Sequence, residues 1–285
     1  MKKWAKVLLL TTLIALLSPT LPACTAQLGA SSSSKQVSAV TPSAPTPTPE
    51  PTPDMSASYI YEANPQLTPV NYSSKAILPP SEDMGQEYID RMIFLCDSTL
   101  YGLKWYGLLR DGGETRQIWT GETGTLTLGY QSTVKIVYPE DGAMRTIREA
   151  VELKKPEYLI ITLGINGISF MDEDYFVREY SNLVTDIREI SPDTNIILQS
   201  IFPISPTFVH WGDITNAMVT QANGWILRIA EQTGCPYLDT ISVLLDDSGN
   251  VKEELTAGDG LHFSPDGLNI ILNYIRSHAY TPEDR

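Results

Sequence analysis

The sequence predicts an α/β sandwich built on a parallel sheet. Three observations point that way: short apolar runs bounded by turn residues, amphipathic helical segments between them, and no second linker or internal repeat after about Ile60. The first run, Met92-Ile93-Phe94-Leu95, stops at Asp97-Ser98 and reads as a buried strand. Thr133–Tyr138 (TVKIVY) is expected as a further strand, and Gly124–Gly129 (GTLTLG) as a short edge strand or hairpin arm. Tyr158–Leu163 and Asn195–Ile201 are short apolar runs with the form of central parallel strands. Between and after them, apolar residues recur at three and four. Phe176, Tyr180, Leu183, Val184 and Ile187 form one stripe, ending before Ser191-Pro192, and Met218, Ala222, Trp225, Ile226 and Ile229 form another, ending before Gly234. The last helix has Ser264 as N-cap, Pro265 in its first turn, and Leu268, Ile271, Leu272 and Ile275 facing inward. All these stripes are read as core.

The N-terminal 60 residues have a different character. Lys2, Lys3 and Lys6 precede the apolar stretch Val7–Leu17, which is short for a bilayer span and laid out like a secretory signal. It leads to Leu21-Pro22-Ala23-Cys24, which resembles a bacterial lipobox apart from the unusual Pro22; a plain cleaved signal or an uncleaved anchor is the alternative. Residues 40–54 (VTPSAPTPTPEPTPD) cannot pack a core and are expected to extend as a polyproline-type tether, with a reach of roughly 45 Å. The expected organisation is therefore a signal peptide over 1–23, a lipidated N-terminus and linker over 24–58, and a folded domain over 59–285. Cleavage before Cys24 would remove three lysines and no acids, taking the formal charge from −14 to −17. Such a chain is poorly suited to nucleic acid or anionic headgroups, so a membrane partner is expected through the lipid on Cys24 alone. The expected location is outward-facing, on the cytoplasmic or another envelope membrane. With Cys24 acylated, Cys96 and Cys235 remain, and one disulfide between them is an open possibility.

Ligands of parallel α/β sheets bind beyond the carboxyl ends of the strands. Three polar clusters fall there or can fold there: Asp97-Ser98, Gly164-Ile165-Asn166-Gly167, and Asp259-Gly260-Leu261-His262. Singly, each has an ordinary explanation as a cap or turn. In this order they supply a nucleophile, an oxyanion donor, an orienting acid and a base, the set that acyl transfer needs. Cys96 is intrinsically the better nucleophile, but only as a thiolate. Two residues earlier in an extended strand it should face the sheet's packing, so it is expected as a buried filler. A metal site competes poorly, because the chain has only His210, His262 and His278 and no Cys-His cluster at ligand spacing. His210 is the rival base; with Phe208 and Trp211 it could wall the substrate site or pack its loop against the domain.

These blocks resemble those of the SGNH hydrolases, or GDSL esterases. FLCDSTLYG resembles the family's first block, GDS, with Cys96 in place of glycine; Gly164-Ile165-Asn166 resembles G-x-N; Asp259–His262 resembles D-x-x-H. The second block is a glycine, for which Gly121, Gly124 and Gly129 are available and Gly124 is favoured. Gly167 stands where many members carry Asp. The resemblance covers about Arg91–Tyr280 and implies a flavodoxin-like three-layer fold and hydrolysis of carboxylic esters with no metal or other cofactor. It implies Ser98, Asp259 and His262 as catalytic residues, with oxyanion donors from Ser98, Gly124 and Asn166. A tethered, outward-facing esterase should meet short acyl esters, O-acetyl groups above all, on glycans of the envelope or its surroundings. A lipase, an acyltransferase of the same fold and a non-catalytic surface binding module are the alternatives.

Overall fold

The computed structural model describes residues 71–209, 214–246 and 249–282. The expected signal peptide and linker, Cys24, His210 and Trp211 lie outside the described residues. Helix α1 (Gly85–Asp90) leads into strand β1 (Met92–Cys96), followed by α2 (Ser98–Trp105), β2 (Ile118–Trp119), β3 (Lys135–Val137), β4 (Met144–Thr146) and α3 (Ile147–Lys154). Then come β5 (Tyr158–Thr162), α4 (Glu173–Ile190), β6 (Asn195–Gln199), α5 (Asn216–Thr233), β7 (Tyr237–Leu238) and α6 (Pro265–Ser277). Five strands form one sheet in the order β2-β1-β5-β6-β7, and every pairing in it is parallel.

Alternation along β1 divides the core into two layers. Ile93 and Leu95 face the side covered by α3, α4 and α5, while Met92, Phe94 and Cys96 face α1, α2 and α6. A sheet covered on both faces explains why β1 and β5 read as unbroken apolar runs and are buried at every residue. The expected helices form with their stripes inward: Phe176, Tyr180, Leu183, Val184 and Ile187 on α4, and Leu268, Ile271, Leu272 and Ile275 on α6. Ser264 caps α6 by accepting the Gly267 N–H. The three-layer α/β sandwich is therefore the one expected.

Two expected strands are corrected. Gly124–Gly129 is not a strand: its backbone groups bond outside any ladder, the Thr125 carbonyl accepting from Gly121 N–H and the Leu126 carbonyl from the Asn166 side chain. Leu126 and Leu128 are buried as strand alternation requires, but they belong to a loop and a short 3₁₀ turn. The run Thr133–Tyr138 does contain a strand, β3, but it pairs antiparallel with β4 in a separate two-stranded sheet. The place beside β1 is taken by Ile118-Trp119, whose two residues are too few to show a period.

The β2-β1-β5-β6-β7 order places a topological switch point between β1 and β5. Chains leaving these two neighbours turn to opposite sides, and a crevice opens between their carboxyl ends. Cys96 pairs with Thr162 in that ladder, so Asp97-Ser98 and the Gly164–Gly167 segment emerge side by side.

Candidate active site

Ser98 owes its position to Asp97. The Asp97 N–H donates to the Thr162 carbonyl at 3.2 Å, which continues the ladder one step beyond β1. Its carboxylate then accepts the Thr99 N–H at 3.1 Å and the Thr99 hydroxyl at 2.6 Å, which caps α2. Ser98 becomes the first residue of the helix. Its own N–H is one of the helix's orphan donors and forms no hydrogen bond among the described residues; it points from the positive end of the helix dipole. The side chain is only half-buried, whereas Asp97 and Cys96 are inaccessible.

Cys96 behaves as expected of a filler. It is packed in the α1/α2/α6 layer, and burial, reinforced by the neighbouring Asp97 charge, pushes its thiol well above the ordinary range. Cys235 packs in the opposite layer and accepts a hydrogen bond from Arg188 Nη2 at 3.1 Å. The two thiols lie on different faces of the sheet and form no disulfide.

His262 is held by the loop between β7 and α6. Asp259 Oδ2 meets His262 Nδ1 at 2.6 Å, and Asp259 Oδ1 accepts the N–H groups of Leu261 at 3.0 Å and His262 at 2.8 Å. Burial opposes ionisation of Asp259, but these hydrogen bonds outweigh it and hold its carboxyl below the usual carboxylate range. The carboxylate therefore fixes the imidazole with a proton on Nδ1 and leaves Nε2 to accept one. The loop is seated on the segment after β6: Gly260 accepts the Ser205 N–H at 2.8 Å, and a Cβ at Gly260 would lie 2.6 Å from the Phe208 nitrogen. Phe263 packs edge-on against Phe202 at 5.3 Å. Among the described residues no hydrogen bond joins Ser98 to His262, as is common in sites without substrate.

Asp97 also ties the two crevice loops together. Burial dominates and raises its carboxyl to about 6, against the pull of its Thr99 hydrogen bonds and, more weakly, of His262 and the Ile165 N–H. The next residue, Asn166, faces the β2 side. Its Nδ2 donates to Thr125 Oγ1 at 2.8 Å and to the Leu126 carbonyl at 3.0 Å. The Gly124 N–H donates to the Gly121 carbonyl at 2.9 Å, and the Tyr101 ring of α2 covers Gly124. Of the three expected oxyanion donors, Ser98 N–H is unengaged, Asn166 is engaged by groups that include an exchangeable hydroxyl, and Gly124 is spent within its own turn. A Cβ at Gly167 would lie 2.7 Å from Met171 Sδ, so a side chain there requires that flexible thioether to shift.

Sequence reasoning missed Thr125, whose only signal is its place beside Gly124. It also missed the second role of Asp97, since a strand-to-helix Asp reads simply as a cap. Among the described residues, no group of three or more His, Cys, Asp or Glu is placed to hold a metal ion. A concavity of about 740 Å³ opens at the amino end of the sheet, lined by Ile77, Pro79, Cys235 and Pro236 among others. None of Ser98, Asn166, Asp259 and His262 lines it.

Residues 103–270 match the family described as GDSL-like Lipase/Acylhydrolase; this span includes Asn166, Asp259 and His262 and begins just after Ser98. Comparison with curated proteins finds no match. Among solved structures, a Streptococcus pneumonia protein named for platelet activating factor superposes with a TM-score of 0.50 at 17% identity, covering 67% of this chain and 84% of its own. A Desulfitobacterium hafniense protein named as lipolytic and of the G-D-S-L family gives 0.48 at 19% identity, covering 66% and 98%. A Bacteroides fragilis protein named as an acylhydrolase gives 0.47 at 18%, covering 70% and 89%. At these identities the likeness is one of fold.

Proposed function

Because the chain belongs to the GDSL-like lipase/acylhydrolase family and is an ester hydrolase, we propose that it removes short acyl groups, O-acetyl in the first place, from glycans of the cell envelope or its surroundings. The observation that carries the chemistry is the 2.6 Å contact between Asp259 and His262 Nδ1, on a loop seated against the segment that leaves the carboxyl end of β6. In this reading Ser98 Oγ attacks the ester carbonyl while His262 Nε2 takes its proton, and Asp259 stabilises the resulting imidazolium. The carbonyl oxygen gains the negative charge and receives the Ser98 N–H and one Asn166 Nδ2 proton, released from Thr125 Oγ1. The other Asn166 proton stays on the Leu126 carbonyl and keeps the amide oriented. As the tetrahedral intermediate collapses, the C–O bond to the alcohol breaks and His262 returns the proton to the departing oxygen. Water, deprotonated by the same imidazole, then attacks the acyl-enzyme and releases the carboxylic acid and free Ser98.

The short acyl group is supported by the open setting of Ser98 and His262, both partly accessible at the sheet edge. The location is proposed from the N-terminal signal, Cys24 and the Pro-rich stretch that follows. Acetate release from a partially O-acetylated oligosaccharide, measured beside p-nitrophenyl acetate hydrolysis, tests the reading. Turnover of both supports it; turnover of p-nitrophenyl acetate alone refutes the glycan assignment while leaving the esterase intact.

A further inference from the structure

We propose that Tyr130 and Phe170 form an aromatic platform that stacks a sugar ring of an uncharged, O-acylated glycan beside the oxyanion side of the site; this rests on the glycan-esterase reading above. Large aromatic side chains are normally spent on core packing. These two are 61% and 54% exposed. They come from the loops that Asn166 joins. Tyr130 ends the 3₁₀ turn that follows Leu126, and Phe170 lies in the tight turns after Gly167, its N–H donating to the Gly167 carbonyl at 3.0 Å. Four residues of extended chain reach no more than about 14 Å, so each ring stands within a few sugar units of Asn166.

The backbone beside Tyr130 is braced by α4. The Tyr175 hydroxyl donates to the Gly129 carbonyl at 2.8 Å, and the Arg178 guanidinium lies 5.0 Å above the Tyr175 ring. A methyl group on Gly129 would lie 3.0 Å from that hydroxyl and 3.5 Å from Phe170 Cε2, so the two loops meet there without a gap. Leu128 is fully buried and anchors the turn. A loop backbone held in this way loses little freedom on binding.

The surroundings choose the occupant. A fatty chain needs an enclosed apolar slot, whereas these rings are open to water and neighbour the exposed Thr125 and half-buried Thr127. Apolar faces with hydroxyl partners at the rim suit the C–H face and hydroxyl edge of a pyranose. A formal charge of −14 disfavours a polyanionic chain. Trp105 and Tyr106 are also exposed, but they stand at the far end of α2 from Ser98.

The test compares the full chain with Tyr130→Ala, Phe170→Ala and the double variant on partially O-acetylated cellohexaose and on p-nitrophenyl acetate. The expected result is that the ratio of kcat/KM on the oligosaccharide to that on the small ester falls about tenfold in the double variant, mainly through KM. Tyr130→Phe and Phe170→Trp, which keep the rings, should hold the ratio. An unchanged ratio in the double variant, with wild type active on the oligosaccharide, overturns the platform alone. Wild-type inactivity on the oligosaccharide overturns the glycan reading and the platform together.

Discussion

Replacing Asp97 by Asn should flatten a pH dependence of stability that burial of this carboxyl creates. Asp97 is 1% exposed, and its carboxyl moves from 3.8 to about 6 on folding, chiefly because burial disfavours the charge. The native state therefore holds a proton that the unfolded chain gives up at lower pH. Its contribution to stability is complete below the unfolded value and is lost as pH rises through about 6. A shift of about two units amounts to roughly 3 kcal/mol. Asn keeps an oxygen for the Thr99 N–H and hydroxyl but cannot ionise. Urea unfolding of wild type and Asp97→Asn between about pH 4 and pH 7.5 should show wild type losing roughly 2.5 kcal/mol relative to the variant as pH rises, the unfolded carboxyl being already more than half ionised at the lower end. Taking the difference removes Asp239, which burial also raises and which both proteins share. A difference that stays constant across this range, or that grows in favour of wild type, would refute the burial argument.

Asn166→Ala should lower kcat about 10²-fold or more on p-nitrophenyl acetate, and it should also loosen the 124–126 loop, visible as faster amide exchange there. Thr125→Val, which removes the competing acceptor, should raise kcat/KM by about fivefold, the worth of one ordinary hydrogen bond; a fall would make the Thr125 hydroxyl part of the catalytic machinery. Cys24→Ser should shift the protein from the membrane fraction to the medium or periplasm with esterase activity retained, and continued membrane association would point to an uncleaved helix.

Much of the fold was legible because buried parallel strands and long amphipathic helices declare themselves by pattern. Met92–Leu95, Tyr158–Leu163 and the α4, α5 and α6 stripes are of this kind. What was not legible is local and short. Ile118-Trp119 earns its place only through pairing with Phe94 and Leu95, and α3 has just eight residues, though its Thr146–Glu149 capping box was a signal left unread. GTLTLG alternates like a strand, but its carbonyls are claimed by Gly121 and Asn166, contacts that no periodicity encodes. At the site, Ser98 and Asn166 stood out by residue type and by following strands, and Asp259 and His262 by their spacing just before the last helix. The Gly124 N–H could not be judged in the same way, because whether it is free depends on a turn, and neither could Tyr130 and Phe170, whose exposure is a tertiary property.

The central claim is that Ser98, rather than Cys96, is the nucleophile and that His262 activates it. Treating the full chain with a serine-directed phosphonate and mapping the adduct by peptide mass spectrometry tests this most directly. The account predicts a single adduct on Ser98, stoichiometric with loss of esterase activity, absent in Ser98→Ala, formed far more slowly in His262→Ala and undiminished in Cys96→Ala. Activity persisting in Ser98→Ala, or an adduct that forms as fast without His262, would contradict it.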